Sequence, residues 1–142
     1  MHSDLVQHNM HIVQEHFHSE DIGAIEAAIE LYTDDIVWES PARQFTAVGK
    51  EAVAGLYRRM FASFADVEVV PVQRFATEDR VVDDSILKFT LVGDGLVNSP
   101  VPIGTRVELR FVHIFEMRDG KIAKEQVFEM WPQAPASTGA RA

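Results

Sequence analysis

The chain has 142 residues, 46% hydrophobic and 25% charged, enough for one domain with a real core. The absence of cysteine excludes disulfides and thiolate chemistry, and a net charge of −9 with only 13 basic residues argues against nucleic acid or an anionic membrane as partner. No apolar run approaches the ~20 residues of a membrane span; the first residues carry neither a basic region nor an apolar core, so a cytoplasmic protein is expected.

Ser3 or Asp4 can cap a first helix that runs to about Phe17, with Val6, Met10, Val13 and Phe17 on one face. His18-Ser-Glu-Asp21 interrupts it, and Asp21 can cap a second helix whose stripe is Ile22, Ile25, Ile29 and Tyr32. Thr33-Asp-Asp35 breaks that pattern, and Ile36-Val-Trp-Glu39 reads as a short strand ended by Pro41, with residues 43–48 as a loop. A third helix starts at Gly49, with Val53, Leu56, Tyr57, Met60, Phe61 and Phe64 on one side.

After Asp66 the period changes from helical to alternating. Residues 67–76, bent at Pro71, and 81–92 read as strands joined by a turn at Thr77-Glu-Asp79. The Gly- and Pro-rich stretch 93–104 is a connecting loop, and its Leu96, Val97, Val101 and Ile103 can close over a cavity mouth. A strand over 107–117, a turn at Asp119-Gly120 and a last strand to Trp131 follow. Residues 132–142, rich in small residues and proline, read as a disordered tail, which leaves one domain over 1–131. Helices first and hairpin-linked strands after them imply an α+β domain with helices on one face of an antiparallel sheet.

Chemistry concentrates on the strand around His113. Val107, Leu109, Phe111, Phe115 and Met117 share its face, so a titratable ring projects where a core residue should be. On the 81–92 strand Asp83 and Ser85 interrupt the face of Val81, Leu87, Phe89 and Leu91 in the same way.

The last strand has two registers. A two-residue turn at Asp119-Gly120 sets His113 opposite Gln126. A three-residue loop sets it opposite Glu125, with Glu129 and Trp131 on the same face; this second register is the favoured one. It places Gln126, Phe128 and Met130 with Val112 and Ile114 on the outer face. A sheet apolar on both faces must be covered twice, which points to a homodimer through that face.

A His113–Glu125 pair is a carboxylate-oriented imidazole, suited to general acid–base work near neutral pH. Asp83 is the candidate second acid–base group. Trp38, Tyr32, Tyr57, Met60, Phe64, Phe89, Phe111, Phe115, Glu129 and Trp131 are the candidate substrate-binding wall. His8 and His11 lie one turn apart at the polar side of the first helix and read as surface, while His16 beside Phe17 can reach the pocket. No phosphate loop, dinucleotide fingerprint, zinc-binding His-Glu-x-x-His or nucleophile elbow occurs, so no cofactor or metal is expected.

Four segments carry a family resemblance: Phe17-His-Ser-Glu-Asp21, Tyr32-Thr-Asp-Asp-Ile-Val-Trp-Glu-Ser-Pro41, Val48-Gly-Lys-Glu-Ala52 and Phe115-Glu-Met-Arg-Asp-Gly-Lys-Ile122. With three helices and long antiparallel strands, the chain resembles the nuclear transport factor 2-like, cone-shaped α+β fold. Within it the chain is most similar to the SnoaL-like group, which includes polyketide cyclases; the resemblance covers about residues 4–131. It implies a cavity at the open end of the cone and a homodimer through the sheet.

The cyclases' histidine matches His113, while their acidic position falls on Val127, with Glu125 and Glu129 on the same face. The base of ketosteroid isomerases falls on Ser40 and their phenol on Val13. Scytalone-dehydratase-like enzymes use histidines and tyrosines, a chemistry that His113 with Tyr32 and Tyr57 leaves open.

The resulting expectation is cofactor-independent proton transfer (cyclisation, isomerisation or dehydration) on a small apolar metabolite. The rival is a non-catalytic ligand-binding or dimerisation module of the same fold.

Overall fold

A computed structural model describes residues 2–21 and 23–132. Its elements are helix α1 (His2–Asp21), helix α2 (Ile25–Glu30), strands β1 (Tyr32–Ser40) and β2 (Phe45–Val48), helix α3 (Lys50–Ala62), and strands β3 (Phe64–Ala76), β4 (Arg80–Leu91), β5 (Arg106–Arg118) and β6 (Lys121–Met130). The strands form one sheet in the order β2-β1-β6-β5-β4-β3, antiparallel throughout except where β1 runs parallel to β6. This is the expected α+β architecture, with a curved, largely antiparallel sheet and helices packed against it.

The first helix does not stop at Phe17. It continues through the His18-Ser-Glu-Asp segment, and Ser3 and Asp4 lie inside it rather than before it. Buried Asn9 fixes its start by donating to the carbonyls of Thr77 and Glu78 in the β3–β4 turn (3.2 and 2.8 Å). Two helical turns later, on the same face, His16 reaches the carbonyl of Ala28 at 3.2 Å. Helix α2 is shorter than the stripe suggested, and Tyr32 opens β1 instead of closing the helix. Ile22 and residues 133–142 lie outside the described residues.

Further along, residues 45–48 of the expected loop pair with β1, and Phe64 belongs to β3 rather than to α3. Strand β3 is an edge strand containing Pro71, with register shifts on both sides of its middle, as suits a position where one backbone edge stays unpaired.

The β5–β6 register matches neither expectation completely. Asp119 (φ 52°) and Gly120 (φ 78°) form a two-residue hairpin turn, and Arg118 pairs with Lys121. The ladder then shifts: Met117 pairs with Ile122 but Glu116 with Lys124, which leaves Ala123 as an extra, bulged residue. His113 consequently faces Val127, and Glu125 pairs with Phe115. The bulge returns Glu125, Val127 and Glu129 to the inner face, so the favoured face assignment holds although its direct His113–Glu125 pairing does not.

Candidate functional site

The inner face of the sheet, α1 and α3 enclose a cavity of about 730 Å³. Its wall includes His113, Glu125, Asp83, Trp38, Tyr57, Met60, Phe64, Phe89, Phe111, Glu129 and Trp131, all anticipated from alternation or helical spacing. Tyr32 and Phe115, expected beside them, lie behind that wall. Phe115 stacks on the His113 ring (centroids 5.6 Å apart, planes at 8°), and Tyr32 is fully buried under Glu125. The rim includes the exposed residues Gln14, His18, Asp21, Val69 and Pro71, which open the cavity to solvent between α1 and β3.

His113 is buried among aromatic rings, with Phe17 and Phe111 edge-on at 5.1 and 4.7 Å. Its Nε2 lies 3.5 Å from Glu125 Oε2, while its Nδ1 is buried without a hydrogen-bond partner. With Glu125 ionised, the tautomer that satisfies the pair carries its proton on Nε2 and leaves the Nδ1 lone pair unused.

Glu125 is the hub. Its Oε1 accepts from Tyr32 at 2.6 Å and from Tyr57 at 3.2 Å, and lies 3.5 Å from His16 Nε2. The two phenols are themselves 2.5 Å apart. Since the Tyr32 proton goes to Glu125, Tyr57 donates to Tyr32 or shares its proton with the carboxylate.

Burial alone would raise the Glu125 carboxyl, but the His16 hydrogen bond and charge, the His113 charge and the Tyr32 hydroxyl together hold it below the usual carboxylate range. Burial, with the Glu125 charge beside them, keeps both tyrosines well above their ordinary value and therefore protonated.

His16, expected to reach the pocket, does not line the cavity; it is completely buried behind Glu125. Its Nδ1 faces a carbonyl and its Nε2 lies 2.6 Å from Glu20 Oε2, one helical turn away. Desolvation works against its charge, but Glu20 and Glu125 outweigh it and push the ring up to about 10. Glu20 was missed because the helix was expected to end before it. An i, i+4 spacing from His16 would have revealed the pair.

The remaining ionic groups of the wall are paired. Asp83 receives Arg74 Nε at 2.7 Å and the Ser85 hydroxyl at 2.9 Å; Arg74 also donates to Gln14 and packs over Phe17. Glu129 is held in a fork by Arg43 (2.9 and 3.1 Å), with Ser40 and the Trp131 indole also donating to it. Arg43 is buried, and it carries no periodic signal because it sits in the turn between β1 and β2.

Arg43 also ties down the 93–104 segment, donating to the Val97 carbonyl at 2.7 Å while Asn98 donates back to the Arg43 carbonyl. The Gly95 amide donates to Ser63, and Leu96 is buried in the cavity wall. The loop expected to close over the mouth is therefore a fixed part of the wall; Ile103 alone of its four apolar residues stays exposed.

His8 and His11 are exposed on α1, as expected. Among the described residues no group of three or more His, Cys, Asp or Glu side chains is arranged to hold a metal ion, and no helix is long and apolar enough to cross a membrane.

The geometry is that of a cavity built on a cone-like α+β sheet, and comparison with known proteins places the chain in a family. A SnoaL-like domain profile matches residues 13–125, so the chain belongs to the SnoaL-like domain family. No curated protein matches it.

Among solved structures it is similar to a candidate SnoaL-like polyketide cyclase from Jannaschia sp. CCS1 (TM-score 0.76, 22% identity, covering 88% of this chain and 87% of that one). A hypothetical protein with a ketosteroid isomerase-like fold from Catenulispora acidiphila DSM 44928, in complex with trimethylamine, aligns with TM-score 0.66 and 19% identity over 82% of each chain. An M. tuberculosis LEH-like epoxide hydrolase aligns with TM-score 0.69 and 18% identity, covering 88% of this chain and 84% of that one. At these identities the likeness concerns the fold.

Proposed function

We propose that the chain is an enzyme performing cofactor-independent acid–base chemistry on a small, largely apolar metabolite: cyclisation, isomerisation or dehydration. The observation that carries this reading is His113 itself, a cavity-wall imidazole with one nitrogen against an ionised carboxylate and the other unpartnered. A base needs a ring nitrogen free of other partners, and Nδ1 is one, although it is buried in the substrate-free chain. A substrate that displaces the aromatic packing beside it gives up a proton from an acidic C–H or O–H to Nδ1, Nε2–H stays directed at Glu125, and the resulting imidazolium is stabilised by the carboxylate. The same ring can return the proton to another substrate atom, which completes an isomerisation or expels a hydroxyl as water.

Asp83 sits opposite His113 on β4 and is ion-paired with Arg74, so its role is to tune the field at the ring rather than to carry protons. Trp38, Phe64, Phe89 and Phe111 give an apolar surface for the substrate body, and the cavity volume suits a metabolite of modest size. The names borne by the structural neighbours are in keeping with small-molecule chemistry on this fold.

The outer sheet face carries Val112, Ile114, Phe128 and Met130, the last 55% exposed. A second copy of the chain, related by a two-fold axis, is the proposed cover.

A second reading, a non-catalytic ligand-binding module, draws on the mutual pairing of Asp83 with Arg74 and of Glu129 with Arg43. Replacement of His113 by Ala separates the two. Loss of turnover with folding roughly retained supports the enzyme; turnover that survives intact removes the acid–base role.

A further inference from the structure

Glu125 is shared between two histidines that are not equivalent. His16 is completely buried, and both its nitrogens meet acceptors: Nδ1 the Ala28 carbonyl, and Nε2 the carboxylates of Glu20 at 2.6 Å and Glu125 at 3.5 Å. A carbonyl cannot donate, so Nδ1 carries a proton; two carboxylates at Nε2 call for a second. His16 is thus a resident cation at neutral pH. It engages Oε1, the oxygen that Tyr32 and Tyr57 also hold, and leaves only Oε2 to face His113.

We propose that His16 and Glu20 are positioning residues for proton transfer at His113: they lock the rotamer of Glu125 and spend part of its charge, which limits how tightly His113 holds a proton. The inference rests on the reading of His113 as the acid–base group, and deepens it. A carboxylate with no other cation beside it would stabilise the imidazolium so strongly that little free base would be present at neutral pH. One already shared with a fixed cation stabilises the imidazolium transiently and lets the proton go.

The charged and titratable groups that bear on the pair are few. Facing Glu125 are His16 and Glu20 from α1, Tyr32 from β1, Tyr57 from α3 and His113 from β5. Facing His113 are Glu125 from β6 and Asp83, its direct neighbour on β4, the latter neutralised by Arg74 of β3. The rings of Phe17, Phe111 and Phe115 pack around it, and it shares the cavity wall with Phe17 and Phe111. Within this set His16 is the fixed cation on Glu125, so its removal acts on that carboxylate and through it on His113.

The test is a histidine-ring titration by NMR on the substrate-free protein. It is therefore independent of any activity and of whether turnover is ever found. In His16→Gln, the His113 midpoint is expected to rise by one pH unit or more relative to the parent chain, as its carboxylate loses the competing cation. An unchanged midpoint in a folded His16→Gln protein overturns the proposal.

Glu20→Gln is the second variant, at a partly exposed position that keeps the hydrogen bond but removes the charge. There the His16 ring is expected to titrate at least one unit lower than in the parent. Titration of His16 at the same pH in both proteins overturns the proposal as surely, even if His16→Gln does not fold. Failure of both shifts with turnover still dependent on His113 would remove the positioning role and leave the acid–base reading standing.

Discussion

Glu125 and His113 share the inner face of the sheet because Ala123, two residues before Glu125, is squeezed out of the β5–β6 ladder. The two-residue turn at Asp119-Gly120 by itself would have aimed Lys124 and Gln126 inward and Glu125 at solvent. One extra residue reverses the alternation for the rest of the strand, since side chains in a strand alternate with a period of two. The carboxylate then reaches a position where burial is tolerable only because cations and hydroxyls surround it.

That dependence predicts the effect of Glu125→Gln. The amide keeps the shape but leaves the His16 cation with a single carboxylate, Glu20, and only a neutral acceptor on the β6 side. Removing one member of a buried ion pair costs about 3–5 kcal/mol. Urea unfolding of the variant should show a loss of that order with the slope of the transition unchanged.

His16 predicts a pH dependence of stability. Its folded value of about 10 stands above the ordinary 6.5. Below pH 6.5 folded and unfolded chains both hold the proton, and the contribution is fully present. Between about 6.5 and 10 only the folded chain holds it, so the contribution shrinks as pH rises and is gone above about 10. Glu125 acts in the opposite sense: its carboxyl, lowered from 4.5, contributes above that value and loses its contribution as pH falls further. Thermal or urea unfolding should therefore show stability declining from pH 7 towards 10, and declining less steeply in His16→Gln.

The loop anchored by Arg43 predicts a local effect. A Cβ at Gly95 would lie 2.0 Å from the Arg59 carbonyl oxygen, a backbone atom that cannot swing aside. Gly95→Ala should therefore push the 93–104 segment off α3 and loosen the cavity wall at Leu96. Arg43→Met, which strands the buried Glu129 carboxylate, should do the same from the other end at a cost of about 3–5 kcal/mol. Amide hydrogen exchange in residues 95–98 should accelerate in both variants while the β4–β5 amides stay protected.

For the outer face, Phe128 and Met130 are the apolar groups that solvent reaches most easily beside Val112 and Ile114. Met130→Glu should convert a dimer of the parent chain to a monomer in light scattering, with the far-ultraviolet circular dichroism unchanged. A monomeric parent chain would remove the second copy from the proposal.

Several of these relationships were legible in the sequence for a physical reason. Strict alternation puts His113, Asp83 and Ser85 inward whatever the partner strands do, and helical spacing does the same for Tyr57 and Met60 on α3. Other features depend on contacts that no local pattern records. The bulge at Ala123 is one, because the turn and the burial of Glu125 make opposite demands on the register. The end of α1 is another: Ser-Glu-Asp reads as a break, yet the His16–Glu20 pair and the packing of His16 under α2 carry the helix through it. Arg43 is a third, since its carboxylate partner lies 86 residues away and nothing around it in the chain marks it as buried.

In the proposed function His113 exchanges a proton with a bound molecule. Deuterium uptake from D₂O reads this directly, by NMR on a panel of neutral apolar carbonyl compounds with exchangeable α-hydrogens, for the parent chain and His113→Gln. The expected result is catalysed uptake into at least one compound by the parent chain, reduced about 100-fold or more in the variant. Equal uptake with both proteins, or none with the parent chain, would contradict it.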